Sequence, residues 1–249
     1  MSFSLDFSSL WPYWPVFLKG AWLTLKMTAV AIFFGVILGT LVAFAKRSRF
    51  RLLSRACAAY IEVVRNTPFL VQIFILFFGL ASVGVRLPTF AAAVLAMIVN
   101  IGAYAAEIIR GGLEAVPRGQ IEAAECLGLS RWRIGWHVML QPSIEKVYPA
   151  LTGQFLLMMQ ASAVASQISA EELTAVANTV QSDTFRSLET YLVVAALYLA
   201  LSFLIKLIAW VVGEYAFKRR RAVRRAAALA GKAPPKRANV TTAIKRGAA

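Results

Sequence analysis

The sequence predicts an all-α, polytopic membrane helix bundle with five transmembrane helices, an N-terminus outside the cell and a C-terminus in the cytoplasm. Of the 249 residues, 59% are hydrophobic and only 16% are charged, whereas a soluble domain carries about a quarter charged residues. Uncharged runs near the length that crosses a bilayer, about 20 residues, recur along the chain. Basic residues are concentrated in alternate connections between those runs.

The first three predicted spans each contain few polar groups. Lys26 lies near one end of the first span, where its long side chain can reach the interface. The second span is interrupted only by Gln72, which follows Pro68. Asn100 is the main polar group of the third. We expect these spans at about 21–45, 60–83 and 88–106, after an N-terminal segment, 1–20, on the outer side.

The last two predicted spans differ from each other in polarity. The fourth, at about 147–170, has no charge but many amides and hydroxyls. The fifth, at about 191–212, contains Lys206 near its far end. The five spans form one predicted membrane domain over 21–217.

The orientation follows from the distribution of Lys and Arg. Loop 46–57 and segment 110–146 contain five each, and the 218–249 tail contains eleven with no acidic residue. The opposite connections contain one each, namely Lys19, Arg86 and Arg186. Because basic loops stay in the cytoplasm, the basic set is predicted to be cytoplasmic. We expect the tail to be mostly disordered, near anionic lipid rather than nucleic acid.

The sequence offers little for metal or catalytic chemistry. Its single histidine is His137, and its two cysteines, Cys57 and Cys126, form no metal-binding spacing. It also lacks the GxxxxGK[ST] phosphate loop. We therefore expect no metal, no catalytic residue and no ATP site in this chain, and two free thiols.

Segment 110–146 is the longest internal connection and is too polar to span the membrane. Pro117 suits a helix start, Gly128 can end that helix, and Ser130 can cap the next one. The prediction is a short helix, a tight turn and a second helix that returns to the membrane. From the residues alone, an ordinary amphipathic hairpin and a docking element are both open.

Several blocks of the chain resemble one transporter family. Glu122-Ala123-Ala124 followed by Gly128 resembles the EAA motif of permease subunits in ATP-binding-cassette importers. Blocks 20–26, 60–72 and 104–120 are similar to the polar amino-acid uptake branch, which includes histidine, glutamine and glutamate permeases. Two departures are Pro142, one residue later than in relatives, and Gln160-Ala161-Ser162, where relatives commonly carry a lysine.

The resemblance implies an importer with several partner proteins. It implies a second permease subunit, the same or homologous, two ABC ATPase subunits that hold ATP and Mg, and a periplasmic amino-acid-binding protein. No nucleic-acid partner is expected, and the location implied is the bacterial inner membrane. The residues implied to couple this chain to the ATPase are Glu122, Ala123, Ala124 and Gly128.

Two further groups are candidate site residues. Glu62 with Arg65, and Glu107 with Arg110, are spaced as i,i+3 pairs near the cytoplasmic ends of spans two and three. They can be helix-end ion pairs that hold the bundle or a cytoplasmic gate.

The fourth span is the candidate substrate path. Gly153, Gln160 and Gln167 recur every seven residues, which predicts one shared helix face. A second polar stripe is predicted at Ser162, Ser166 and Ser169. These groups can line a hydrated path for a zwitterion or can form bonds between helices.

The predicted function is inward translocation of a polar amino acid, or a related small zwitterion, by alternating access. An ion-coupled secondary transporter is an alternative, but such proteins usually have more spans and intramembrane carboxylates. A membrane scaffold or receptor is a second alternative, which would need neither the EAA block nor a polar fourth span. Two points stay open. One is which amino acid is carried, and the other is whether the permease forms a homodimer or a heterodimer with a homologue.

Overall fold

The computed structural model describes residues 5–216, and every regular element in that range is helical. The basic tail expected at 218–249 lies outside the described residues. Contacts divide the chain into one unit that ends at Trp210 and a second that begins at Val211. Of the second unit, residues 211–216 are described, and they form the end of the last helix.

The first membrane helix is longer than the predicted span. A 3₁₀ turn, Ser8–Tyr13, leads into helix α1, Trp14–Lys46. Pro15 lies in the first turn of α1, where a missing N–H removes no helical hydrogen bond. The 33 residues of α1 extend over about 50 Å. Residues 14–20, which were assigned to a segment before the first span, are therefore part of the membrane helix.

The second predicted span is not one continuous helix. Helix α2, Arg51–Arg65, and helix α3, Phe69–Phe74, are bent by 111° relative to each other. Pro68 causes the break, because it lacks an N–H and disfavours helical geometry at Thr67. After α3 the chain continues as a π turn and a short helical turn, Ile75–Gly79 and Leu80–Ser82. Within the predicted span at 60–83 the structure therefore has a bent helix pair, which can still count as one broken span.

Helix α4, Thr89–Glu114, is the central helix of the bundle. About two thirds (67%) of its most apolar stretch is buried, and it packs against α1, α2 and α3. Gly35 and Gly39 of α1 allow the close approach of these two helices. A Cβ at Gly39 would lie 2.7 Å from Ala105 Cβ and 2.9 Å from the Gly102 carbonyl oxygen. The spacing of these two glycines, GxxxG, is typical of a close-packing face between membrane helices.

A helical hairpin, at the segment predicted to be cytoplasmic, connects α4 to the fourth predicted span. Helix α5, Arg118–Cys126, is followed by a turn and a helical turn at Arg131–Arg133. The chain then passes through a π segment, Ile134–Leu140, into helix α6, Gln141–Ala161. The next residues, Ser162–Ile168, form a 3₁₀ helix. The predicted span at 147–170 is therefore α-helical only as far as Ala161 and continues in 3₁₀ geometry to Ile168.

Two helices complete the described chain: the short α7, Leu173–Thr184, and the long α8, Ser187–Ala216. Three helical stretches are long and apolar enough to cross a membrane, namely Ser8–Lys46, α4 and α8. The bent pair α2–α3 makes a fourth if it counts as one span. Within residues 5–216, the expected count of five is therefore not confirmed.

Candidate functional site

The break between α2 and α3 is held by a buried amide bridge. Gln72 Nε2 donates to the carbonyl oxygens of Val64 and Thr67, each at 2.8 Å. Asn100 Nδ2 of α4 in turn donates to Gln72 Oε1 at 2.9 Å. Both amide side chains are buried, with exposures of 8% and 5%. The bridge therefore satisfies two backbone carbonyls at the break and fixes the bent pair to the central helix.

A cavity of about 380 Å³ opens at this break. Its volume lies within the usual range for small-molecule pockets, about 300–1,000 Å³. Helix α6 contributes one helix face, and α4 contributes two residues one turn apart. The lining residues are Arg65, Asn66, Thr67, Pro68, Phe69, Asn100, Tyr104, Gln154, Leu157, Met158 and Ala161.

The lining combines one cation with neutral polar groups and an apolar wall. The Arg65 guanidinium lies 5.4 Å from the ring centroid of Tyr104, a cation–π contact that orients it. Asn100 and Gln154 supply amides, and Leu157 and Met158 supply apolar surface. No aspartate or glutamate is among the lining residues. Such a lining can hydrogen-bond a carboxylate and an ammonium group without a buried acid.

None of the four residues predicted for the substrate path lines this cavity. Gly153 and Gln160 are exposed on α6, and the space around Gly153 is open. Since adjacent α-helical residues differ by about 100°, the face of Gly153 and Gln160 is separate from the face of Gln154. In a single copy of the chain, Gly153 and Gln160 therefore border the cavity-lining face at Leu157 and do not themselves line the cavity.

The predicted seven-residue repeat stops at the end of α6. Gln167 is exposed, but it lies in the 3₁₀ segment, so it does not continue the α-helical face of Gln160. The serine stripe is also irregular: Ser162 is fully buried and donates to the Met159 carbonyl at 2.6 Å. Ser169 has a left-handed backbone, φ 62°, and ends the segment. The structure therefore has no single α-helical face through Gly153, Gln160 and Gln167, and their place on the substrate path stays a prediction.

Of the two predicted ion pairs, one is formed. Glu107 pairs with Arg110, which also contacts Glu114 one turn further on. Lys46 Nζ of α1 lies 3.6 Å from Glu107 Oε2, so this carboxylate also links α1 to α4. Glu62 and Arg65 do not pair. Glu62 Oε1 accepts from Asn66 Nδ2 at 3.1 Å, and Arg65 contacts Tyr104 instead.

The turn of the hairpin after α5 has the geometry predicted for Gly128. Gly128 has φ 70°, a left-handed conformation that favours glycine. Its N–H donates to the Glu125 carbonyl at 2.9 Å, and the Leu129 N–H donates to the Ala124 carbonyl at 3.2 Å. These two bonds form a Schellman motif, which satisfies carbonyls at the end of α5. Ser130 occupies the predicted cap position, but its side chain makes no capping hydrogen bond.

The four EAA residues differ in exposure. Glu122, Ala123 and Gly128 are exposed, whereas Ala124 is 5% exposed. Helix α5 packs against the π segment that precedes α6. Ala124 therefore belongs to the inner face of the hairpin, and the smooth outer surface expected from two alanines is provided by Ala123 alone.

Sequence reasoning missed Tyr104 and Gln154 as cavity residues. One signal for Tyr104 was present, because Asn100 and Tyr104 are spaced i,i+4 and lie on one face of α4. Gln154 is the one amide on the α6 face formed by Leu157, Met158 and Ala161. The seven-residue repeat instead predicted a path on the neighbouring face of α6, that of Gly153 and Gln160.

Comparisons with known proteins agree on one family. The family described as "binding-protein-dependent transport system inner membrane component" matches residues 31–213. A glutamine transport system permease of Escherichia coli (strain K12) is 32% identical over 205 residues, covering 82% of this chain and 94% of that protein. An L-cystine transport system permease of Bacillus subtilis (strain 168) is 33% identical, covering 80% of this chain and 86% of that protein.

Solved structures give the same result. The crystal structure of an amino acid ABC transporter with histidines contains a chain that is 36% identical, with TM-score 0.77. The match covers 86% of this chain and all of that chain. A methionine ABC transporter in an inward-facing conformation, 22% identical with TM-score 0.69, shares the fold. The resemblance to amino-acid permeases seen in the sequence is confirmed.

Proposed function

Because the chain belongs to the binding-protein-dependent inner membrane components of ABC transporters, and is a permease subunit rather than an enzyme, we propose that it imports a polar amino acid. The cargo is a polar amino acid or a related small zwitterion, moved from the periplasm to the cytoplasm by alternating access. ATP hydrolysis belongs to a partner ATPase, which holds ATP and Mg. Membership of the family also implies a substrate-binding protein as partner.

The cavity at the α2–α3 break is the single observation that carries this proposal. The cavity is polar at the break and apolar on the α6 side. The contact with Tyr104 orients the Arg65 guanidinium in its wall. A guanidinium favours a carboxylate through charge-assisted hydrogen bonds. Asn100 Nδ2 already donates a hydrogen bond to Gln72 Oε1. Asn100 Oδ1 is therefore the atom that can accept a hydrogen bond from the ammonium group of a ligand. A site with one cation and neutral amides binds weakly enough to release its cargo.

Coupling to the ATPase is proposed at the hairpin of α5. Glu122, Ala123 and Gly128 form its exposed surface, and Ala124 anchors α5 from the inside. The hairpin is continuous with α6 through the π segment. Displacement of α5 would therefore be transmitted directly to the helix that lines the cavity.

The proposed arrangement in the membrane follows the basic residues. We place the hairpin and the C-terminus in the cytoplasm and the N-terminus outside, in the bacterial inner membrane. A second permease, identical or homologous, would face the exposed side of α6 that carries Gly153 and Gln160. The amino acid would then be held in the cavity of each subunit and would pass this shared surface without being held there. Exposed Gln167 would lie beyond the end of α6, whereas Ser162 is buried and would not line the surface. Glu62, Arg65, Glu107 and Arg110 would form the cytoplasmic closure.

The test is uptake by proteoliposomes that contain the permease, its ATPase and its binding protein. Three variants of nearby positions separate the two faces: Gln154→Leu in the cavity, Gln160→Leu on the exposed face and Val164→Leu as the control. We expect Gln154→Leu to lower uptake at least tenfold and Gln160→Leu about threefold, with Val164→Leu unchanged. Binding of amino acid to the isolated binding protein should be unchanged in all three experiments.

Two outcomes would contradict the proposal. Wild-type proteoliposomes that take up no amino acid with ATP, or that respond only to an ion gradient, would exclude an ATP-driven importer. Wild-type uptake in Gln154→Leu, with a loss in Gln160→Leu, would place the path on the exposed face of α6 and outside the cavity.

A further inference from the structure

Two adjacent glutamates before α7 have opposite environments. The Glu171 side chain is 76% exposed and pairs with Lys19 at 3.6 Å on the surface. Glu172 is fully buried, and within the described part of the chain no cation pairs with it. A buried carboxylate without a cation is costly unless hydrogen bonds hold it. Neither the cavity nor the hairpin uses Glu172.

Both carboxylate oxygens of Glu172 have defined partners. Oε1 accepts from the Ala175 N–H at 2.9 Å, which caps the first turn of α7. Oε2 accepts from the Tyr198 hydroxyl of α8 at 2.8 Å. Tyr198 also contacts Thr174 Oγ1 at 2.9 Å. One side chain therefore joins the start of α7 to α8.

The same turn is also fixed to the first membrane helix. Thr24 of α1 is fully buried, and its hydroxyl accepts from the Leu173 N–H at 3.1 Å. Gly20 lies one turn earlier on α1, where a Cβ would be 3.1 Å from Leu173 Cα. The start of α7 is thus enclosed by α1 on one side and α8 on the other.

Helix α7 is bracketed by two left-handed residues. Ser169 (φ 62°) precedes it and Phe185 (φ 55°) follows it, and in residues 5–216 these are the two non-glycine residues with positive φ. Such a conformation is rare for a bulky residue, and Phe185 is also 89% exposed. Strained backbone persists only where the surrounding structure holds it in place.

We propose that Glu172 is a positioning residue that latches α7 to α1 and α8, and that release of this latch is part of the transport cycle. Helix α7 directly follows the 3₁₀ segment 162–168, which packs against α3 and α4 beside the cavity. While Glu172 holds α7, the 3₁₀ segment is also held in place. When Glu172 releases α7, the strained backbone at Ser169 and Phe185 can relax. The role of the latch in transport rests on the proposed function. The attachment of α7 to α1 and α8 through Glu172 does not.

A spin label on α7 reports the latch without any transport assay. The label is attached at Thr179→Cys, an exposed position, in full-length protein from which Cys57 and Cys126 have been removed. The matched pair is Glu172→Ala and Glu171→Ala. We expect the mobile fraction of the label to rise at least threefold in Glu172→Ala and to stay unchanged in Glu171→Ala. Equal mobility in both variants would overturn the latch.

Conservative variants separate the latch from a folding defect. Tyr198→Phe removes one hydroxyl, and we expect about a twofold rise in label mobility in a protein that still inserts. Glu172→Gln keeps one donor and one acceptor and should restore low mobility. If Glu172→Ala does not insert, unchanged mobility in Tyr198→Phe would by itself overturn the latch.

The latch should also respond to pH. Burial raises the pKa of the Glu172 carboxyl above its ordinary value. The titratable group in contact with it is Tyr198, and nearby Lys19 and Glu171 pair with each other at the surface. The neutral form avoids the cost of a buried charge, so α7 is held more tightly at acidic pH and loosens as pH rises through the raised pKa. Label mobility should rise with pH in wild type and stay flat in Glu172→Gln.

Uptake tests the role of the latch in transport. With ATPase and binding protein present, we expect Glu172→Ala to lower the maximal uptake rate at least fivefold, while Glu171→Ala stays within twofold of wild type. If α7 is mobile in Glu172→Ala and uptake is normal, the latch holds α7 but has no role in transport. Loss of uptake in wild type and all variants would instead contradict the proposed function.

Discussion

The break at Pro68 and the turn at Gly128 both interrupt helices, but they satisfy their backbone in different ways. At the Gly128 turn, the two N–H donors bond to carbonyls three and five residues away. At the Pro68 break, the carbonyls of Val64 and Thr67 bond to the side chain of Gln72. Gln72 is itself held by Asn100, which lies 28 residues further along the chain.

The difference indicates how each region works. The hydrogen bonds at the Gly128 turn all lie within the hairpin, so the hairpin can move as one body, which suits the coupling role proposed for it. The Pro68 break depends on the central helix α4, so any movement there changes the cavity that the break and α4 share. Substitutions should therefore have local effects at the turn and combined effects on stability and transport at the break.

Gln72→Leu should have the largest effect, because it leaves two buried carbonyls without a partner. We expect a loss of about 2–5 kcal/mol in the free energy of unfolding and at least a tenfold loss of uptake. Thermal unfolding of the detergent-purified protein and uptake in proteoliposomes measure the two effects.

Asn100→Leu is the matched control for the bridge, since it leaves only Gln72 Oε1 unpaired. Its stability loss should be smaller, about 1–2 kcal/mol, with a comparable loss of uptake because Asn100 also lines the cavity. If both variants had wild-type stability, the bridge would not hold the break.

Glu122→Lys should abolish coupling without loss of stability. Glu122 is exposed on α5, so charge reversal alters the surface presented to the ATPase and leaves the fold intact. We expect uptake to fall at least tenfold. Glu125→Lys makes the same charge change on the same helix and should lower uptake threefold or less. Equal effects of the two variants would show a general charge effect in place of a specific contact.

Gly128→Ala should have a small effect that is confined to stability. An alanine at φ 70° is strained by about 1–2 kcal/mol, and nothing else lies near the glycine. Gly119→Ala, in the same helix α5 and in open space, should instead stabilise the protein by about 0.5 kcal/mol. Thermal unfolding distinguishes the two, and a shift in the same direction for both would contradict the left-handed assignment.

Much of the fold was predictable because its signals are local. Apolar runs located α1, α4 and α8. The hairpin was predicted because Pro117 and Gly128 act on the few residues beside them.

The rest depended on contacts between distant residues. Pro68 indicated a break, but the 111° bend and the Gln72–Asn100 bridge depend on α4. The 3₁₀ segment after Ala161 contains no glycine or proline that would predict the end of α-helical geometry. Glu171 and Glu172 look alike in sequence, and only packing against α1 and α8 separates the exposed residue from the buried one.

The most direct test of the account is whether an amino acid occupies the cavity. Gln154→Cys and Gly153→Cys, each in protein that lacks Cys57 and Cys126, place a thiol on adjacent α6 positions that differ by about 100° in direction. With the ATPase and loaded binding protein present, transported amino acid should slow alkylation of the thiol at position 154 by a small water-soluble reagent at least fivefold. The thiol at position 153 should react at the same rate with and without the amino acid. Protection at 153 but not at 154 would contradict the account and place the path outside the cavity.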